Sequence, residues 1–305
     1  MLKRILTRLL TGLGVMWLAV TAAFLALHAL PGRIEDVLAG DMNYPGLHEA
    51  IASEWGLDRS LPVQYGDFIG KIASGDLGTS YVMREKVSLI LASELLPTVE
   101  LALLAGFLAA AVAVALAVAT AGRGQVARGV ASAVEMLLTS SPVFWIGILL
   151  LMVFSFHFRL FPVSGADGWR AIVLPTITLA LPTAGLLTQV LREAMEKTLD
   201  QPFVTTARAR GLGETAVRLK HVLRHALLPA MTLGGWLVGG LLGGAVITEK
   251  VFGRPGLGSL TLSAVSTQDI PVVLAVVLLA AFIHVVISTL LDITYIVVDP
   301  RLRRQ

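Results

Sequence analysis

Residues 200–213 read DQPFVTTARARGLG, and an uncharged apolar run lies on either side, 171–191 before it and 225–248 after it. A short polar segment between two such runs implies that the runs are membrane spans and that the segment is a loop outside the bilayer. Four more runs lack Asp, Glu, Lys and Arg: 9–32, 101–122, 136–158 and 270–291. All six are 21 to 24 residues long, and a helix needs roughly 20 residues to cross about 30 Å of hydrocarbon. The 305 residues are 55% hydrophobic and only 15% charged, whereas soluble domains carry about 25% charge. The reading is an all-α membrane protein with six transmembrane helices and both termini on one side.

Orientation follows from the basic residues. The N-terminus, the second loop, the fourth loop and the tail together hold fifteen of the 24 Lys and Arg residues. The short loops on the other side hold four, Arg159, Arg170, Lys250 and Arg254. The positive-inside rule makes both termini and residues 200–213 cytoplasmic. The apolar run 9–32 exceeds the core of a signal peptide and is read as an uncleaved anchor. The chain divides into this N-terminal helix (1–32), an extracytoplasmic loop (33–94), a five-helix core (94–292) whose cytoplasmic loop covers 192–225, and a cytoplasmic tail (293–305). Two helical signals are expected in the extracytoplasmic loop, around Leu47–Trp55 and Gln64–Ile72. The chain has no cysteine, so packing on the spans or on a partner must hold that loop in place of disulfides. The net charge of +3 follows from the positive-inside distribution and requires no nucleic acid.

Several motifs in the spans invite chemistry. LPTVELAL (96–103) and LPTITLAL (174–181) each place Leu-Pro where a span is expected to open from the outside, which fits proline in a first helical turn. GGWLVGGLLGG (234–244) is read as a close-packing face, because small residues let helices approach in lipid and no phosphate-loop Lys-Ser/Thr follows. His284, Ser288 and Asp292 recur every four residues and share a helix face. A catalytic triad needs its imidazole between serine and carboxylate, but Ser288 is the middle member here. A polar stripe that packs the last span or lines a pathway is the reading, with no catalytic residue assigned. Glu100 and Glu135 lie near span ends and are expected to reach the interface. No His/Cys/Asp grouping has metal-ligand spacing, so no metal site is assigned.

In 200–213 itself, Asp200 is positioned to cap a helix N-terminus and Gly211 to stop it in a left-handed conformation, giving a helix over about 201–210. Phe203, Val204 and Ala207 share an apolar side, and Arg208 and Arg210 sit near the C-terminal end of the dipole. Such a helix can rest on anionic lipid. Its apolar side is small for that purpose, so a protein socket that takes Phe203 is the better use.

Residues 192–229, REAMEKTLDQPFVTTARARGLGETAVRLKHVLRHALLP, resemble the cytoplasmic EAA-type loop of ABC importer permeases, in the branch that imports dipeptides, oligopeptides and, in some members, nickel. The matching positions are Asp200, Phe203, Val204, Ala207, Arg208, Ala209, Gly211 and Leu212, followed by Leu228-Pro229. GLDRSLPVQY (56–65), GDLGTS (75–80), SPVFWIG (141–147), LFPVSG (160–165), EKVFGRPGLG (249–258) and DPRLR (299–303) resemble the family's other blocks in the same order. The resemblance thus covers essentially the whole chain. Departures include Phe203 where tyrosine is common, Arg210 where lysine is common, and Lys250 and Ile270 on the external side. The resemblance implies a type I ABC importer permease fold in the bacterial inner membrane, with residues 200–211 as a coupling helix docked on an ATPase. It also implies a paralogous permease, one or two ABC ATPase subunits and an extracytoplasmic binding protein as partners. The chain itself is then not an enzyme, and ATP and magnesium bind only to the ATPase partners. Peptide is the expected cargo, with nickel or a metal chelate as the alternative. An ion-coupled secondary transporter is a distant rival and an intramembrane enzyme another.

Overall fold

The computed structural model describes residues 2–29 and 58–298, with a few isolated positions between them. Part of the expected Leu47–Trp55 helix and the DPRLR ending lie outside those residues. The described residues are helical throughout, apart from loops and one isolated bridge, Thr79 to Lys86. Helix α1 is Leu2–Ala29, α2 Leu61–Ala73, α3 Val87–Thr120 and α4 Gln125–Ser140. Helix α5, Val143–Leu150, continues as a π segment, Leu151–His157. Helix α6 is Arg170–Leu199 and α7 Pro202–Ala209. A turn, Glu214–Ala216, and a second π segment, Val217–Val222, lead into α8, Leu223–Val251. Helices α9, Leu257–Ser266, and α10, Ile270–Val298, complete the chain.

Helix α3, helix α6 and residues 270–290 of α10 are long and apolar enough to cross a membrane, and the bent pair α4–α5 adds a fourth candidate. Helices α1 and α8 carry the first and fifth apolar runs. The third run is not one straight helix as expected, because α4 and the helix after it meet at 99°. The break falls at Ser141-Pro142. Proline pushes the preceding residue out of the helical region, and Ser141 is accordingly extended (φ −78°, ψ 127°). The Leu-Pro pairs also differ from expectation, since Pro97 and Pro175 lie inside α3 and α6. Both helices begin earlier than their apolar runs.

The chain forms two compact units, one of residues 1–96 and 259–289, the other of 97–258 and 290–305. In the first, α1 and α10 approach so closely that a Cβ on Gly12 would sit 2.6 Å from Val285 Cγ1. Helix α2 is held on α1 by Thr21 Oγ1 to Tyr65 Oη at 2.7 Å and His28 Nε2 to Gln64 Oε1 at 3.3 Å. Phe24 is buried between them, its ring 5.3 Å from that of Tyr65, and packs with Ile270 and Leu274. The described part of the loop between the first two spans therefore rests on helices. Its last turn is pinned by the buried Asp269, which accepts from Ser80 Oγ and from Tyr81 N–H at 3.1 Å. Burial, and secondly the Asp269 charge, push the Tyr81 phenol up to about 12. Asp269→Ala leaves Ser80 Oγ and Tyr81 N–H without their acceptor, at a cost of about 2–4 kcal/mol for the two. Limited trypsinolysis at Arg84 and Lys86 should then be at least tenfold faster than in wild type; equal rates would show that the carboxylate does not pin this turn.

In the second unit, α3 presents an unbroken buried ridge, Leu101, Ala105, Ala109, Ala113 and Ala117, which Ala121 extends into the turn after the helix. Spacing of four keeps small residues on one slowly turning stripe, which lets neighbouring backbones come close without a hydrophobic drive in lipid. Half of the ridge packs with Leu179, Ala180 and Ala184 of α6 and with Leu241 and Ala245 of α8. Ala117 and Ala121 pack with Leu191, Met195, Val204, Ala207, Val217 and Val222. The glycine-rich face expected to pack closely does so at Gly244, where a Cβ would meet Leu179 Cδ1 at 2.7 Å. Gly234, Gly239, Gly240 and Gly243 have open space beside them.

The end opposite α7 is organised by a buried carboxylate. Glu249, near the end of α8, accepts from Thr98 Oγ1 and from Gly258 N–H at 2.8 Å. Thr98 Oγ1 in turn accepts from Leu257 N–H at 2.8 Å. These two amides are orphan donors of the first turn of α9, where a negative charge is favoured. Gly258 is where α9 touches the α8 backbone, because a Cβ there would lie 2.9 Å from Val246 N and overlap Val246 Cα.

Candidate functional site

The segment 200–213 folds as expected at its C-terminal end and differently at its start. Asp200 does not cap α7; it closes α6 in a helical conformation (φ −83°, ψ 0°). The capping position falls on Gln201 (φ −79°, ψ 145°), whose side chain makes no capping bond. Pro202 forces its predecessor into the extended region, so the cap moves to position 201 and leaves Asp200 one residue too early. At the other end Gly211 adopts φ +79°. Gly211 N–H donates to Arg208 O at 2.9 Å and Leu212 N–H to Ala207 O at 3.4 Å, which is the paired bonding of a Schellman stop.

One side of α7 belongs to the chain's own core. Val204 and Ala207 are buried among Leu191, Met195, Val217 and Val222. Phe203, expected on that same side, lies on its flank, 38% exposed, with its ring 5.0 Å from the His225 ring. Ala209 and Arg210 are exposed. Arg208 is exposed as well and pairs with Glu214 at 2.8 Å. The hydrogen bond from Arg208 holds the Glu214 carboxyl below its usual range. The outward surface of α7 is therefore one aromatic ring beside an internally paired cation, with Arg210 as its open charge.

Beneath α7 lies an ionic cluster that the sequence reading did not find. Glu135, expected at the interface, is buried and grips Arg192 with both oxygens, Nε to Oε1 at 3.0 Å and Nη2 to Oε2 at 2.7 Å. Arg192 Nη2 also donates to Ser132 Oγ at 2.9 Å. Both residues are the first charge beyond an apolar run, a signal that each must be paired or leave the hydrocarbon. Only the fold shows that they pair with each other. Glu100 does keep an exposed side chain, 3.9 Å from Arg254. Arg218, in the second π segment, is buried and donates to Val118 O at 3.3 Å.

The polar stripe shows no convergent site among the described residues. His284 is exposed and Ser288 half-buried, while the Asp292 side chain lies outside the described residues. Among the described residues no three His, Cys, Asp or Glu side chains come together as metal ligands.

Comparison with known proteins points one way. A family model described as binding-protein-dependent transport system inner membrane component matches residues 94–304. The glutathione transport system permease protein GsiC of Salmonella choleraesuis (strain SC-B67) is 35% identical over 304 residues, 99% of each chain. A Brucella abortus (strain 2308) protein provisionally named as a peptide transport system permease is 35% identical over 314 residues, 98% of each chain. A solved amino acid ABC transporter crystallised with histidines superposes with a TM-score of 0.53 at 16% identity, covering 68% of this chain and 93% of that one. That last likeness concerns the fold alone.

Proposed function

The chain belongs to the family of binding-protein-dependent transport system inner membrane components, and we propose that it forms half of the translocation pathway of an ATP-driven importer of di- and oligopeptides. Its fold is that of a type I ABC importer permease, a multi-pass inner-membrane protein. The observation that carries the coupling reading is α7: a short helix fixed on one side by Val204 and Ala207, stopped by Gly211, and open on its flank at Phe203. A helix held this way transmits a push, and its exposed ring offers an anchor of the kind that concentrates docking energy. The partners are a paralogous permease, one or two ABC ATPases that bind ATP and magnesium, an extracytoplasmic binding protein and the surrounding lipid. ATP-driven closure of the ATPases moves α7, and the spans rock between inward and outward access. Both termini and α7 are cytoplasmic in this reading. Peptide as cargo rests on the named relatives, glutathione being a tripeptide.

Reconstitution in liposomes tests it. Uptake of radiolabelled glutathione or tri-alanine should require the ATPases, the binding protein and internal ATP, and the isolated chain should neither bind nor hydrolyse ATP. Uptake by this chain without ATPases, driven by a proton or sodium gradient, would replace the reading with ion-coupled transport.

A further inference from the structure

The Arg192–Glu135 pair has a position that a static ion pair does not need. On α6, Arg192 and Glu196 are one turn apart, and Nη1 lies 3.7 Å from Glu196 Oε1. On α4, Arg128, Ser132 and Glu135 follow at helical spacing on one face; Arg128 reaches Glu196 at 3.4 Å. Seven residues further into the bundle, α4 and α6 touch again, where a Cβ on Gly185 would lie 3.1 Å from Glu135 O and 3.0 Å from Leu138 Cβ. On α4 the two contacts adjoin at Glu135, Gly185 meeting Glu135, Leu138 and Thr139 and Arg192 meeting Ser132 and Glu135, so together they hold about two turns of α4, roughly 10 Å, against α6 and resist pivoting. Helix α4 then ends at Ser141-Pro142, where the chain turns by 99°. Helix α7 meets this assembly through Val204 and Ala207, which pack with Leu191 and Met195 on either side of Arg192.

We propose that Arg192 is the positioning residue that makes α6 and α4 one rigid strut, so that displacement of α7 is delivered to the bend at Ser141-Pro142 rather than lost between the helices. This rests on the reading that α7 docks on an ATPase. The chemistry favours arginine here: its planar fork engages both Glu135 oxygens at fixed angles, whereas a lysine ammonium reaches the same charge as a single point and allows rotation about it. The bond is buried, so it keeps its strength at the ionic strength of the cytoplasm.

The chain has no cysteine, so single pairs can be introduced and labelled on it, before the partners are added, without background from its own residues. The full transporter is assembled with label pairs Val130→Cys/Lys197→Cys, across the strut, and Val130→Cys/Trp145→Cys, across the bend. Distances are measured without nucleotide and after trapping with ATP and vanadate. In wild type the strut distance should stay within about 2 Å while the bend distance shifts by more than that, larger than thermal displacement in a packed helix. Arg192→Lys should keep ATPase co-purification and basal hydrolysis within about twofold, broaden the strut distance and remove at least half of the bend shift. Glu135→Gln should do the same, and Glu135→Arg with Arg192→Glu should restore part of the shift. A strut distance that changes in wild type, or a bend shift unaltered in both single variants, overturns the proposal. So does loss of the ATPases from Arg192→Lys in proportion to the lost shift, which would make Arg192 a folding residue only. Failure of the docking reading looks different: the ATPases then fail to co-purify with wild type, or Phe203→Ala leaves them bound.

Discussion

Gly258→Ala is expected to eliminate folded protein from the membrane, the largest single effect this chain should show. Its new Cβ has to enter space held by Val246 Cα, with Val246 N only 2.9 Å away, and neither belongs to a side chain that can rotate aside. Overpacking against flexible neighbours costs about 1–3 kcal/mol; a clash with the backbone of a fixed helix falls at or above that range. The displacement also pulls Gly258 N–H from Glu249, 2.8 Å away, and a hydrogen bond to a buried charge is worth about 1.5–3 kcal/mol. The total is about 4 kcal/mol or more, a large share of a marginal stability. The measurement is the yield of monodisperse protein in detergent together with its thermal midpoint. Gly243→Ala is the control, since open space surrounds Gly243, and should match wild type. Equal behaviour of the two alanine variants would mean that α9 does not lie against the α8 backbone.

Phe203→Ala should have the second largest effect, on assembly rather than on folding. The ring is 38% exposed and leans on His225, so its removal costs the isolated chain little. If α7 docks in a partner's groove, the same truncation empties the desolvated centre of the interface, where single residues are worth about 2–4 kcal/mol. That corresponds to roughly 30- to 1,000-fold in affinity for the ATPases. Removing Arg208 and Arg210 together should cost less, because Arg208 is already paired with Glu214. A helix resting on anionic lipid reverses the order, at about 1 kcal/mol per charge near the surface. Co-purification of the ATPases with each variant, in neutral detergent and in anionic liposomes, separates the two. ATPases that remain bound to Phe203→Ala at wild-type strength would remove the docking role of α7.

Much of the architecture was readable because hydrocarbon imposes a simple rule on composition. Among the described residues five of the apolar runs are carried by a single helix each, and Gly211 stops α7 as its type demands. What stayed hidden depends on geometry within or between runs. Run 136–158 contains no charge to mark a break, yet Ser141-Pro142 divides it, because a hydropathy window is blind to one backbone angle. At the start of α7 the same constraint before proline outweighed a side chain suited to capping, which moved the cap from Asp200 to Gln201. Glu135 and Arg192 are 57 positions apart, and each alone is an ordinary charge at a span boundary. Glu249 likewise sits just past an apolar run, and its purpose emerges only when Thr98, Leu257 and Gly258 surround it.

The cap on α9 also sets a schedule for biogenesis. Thr98 supplies its oxygen to a peptide group 159 residues later in the chain. At about 5–20 residues per second of synthesis, the hydroxyl is made some 8–30 s before the amide it will bind. Until then the network on Glu249 cannot form, since Glu249 itself is made only 9 residues before the Gly258 amide it accepts from. The Glu249 end of the second unit therefore closes late, as an act of assembly among helices already made.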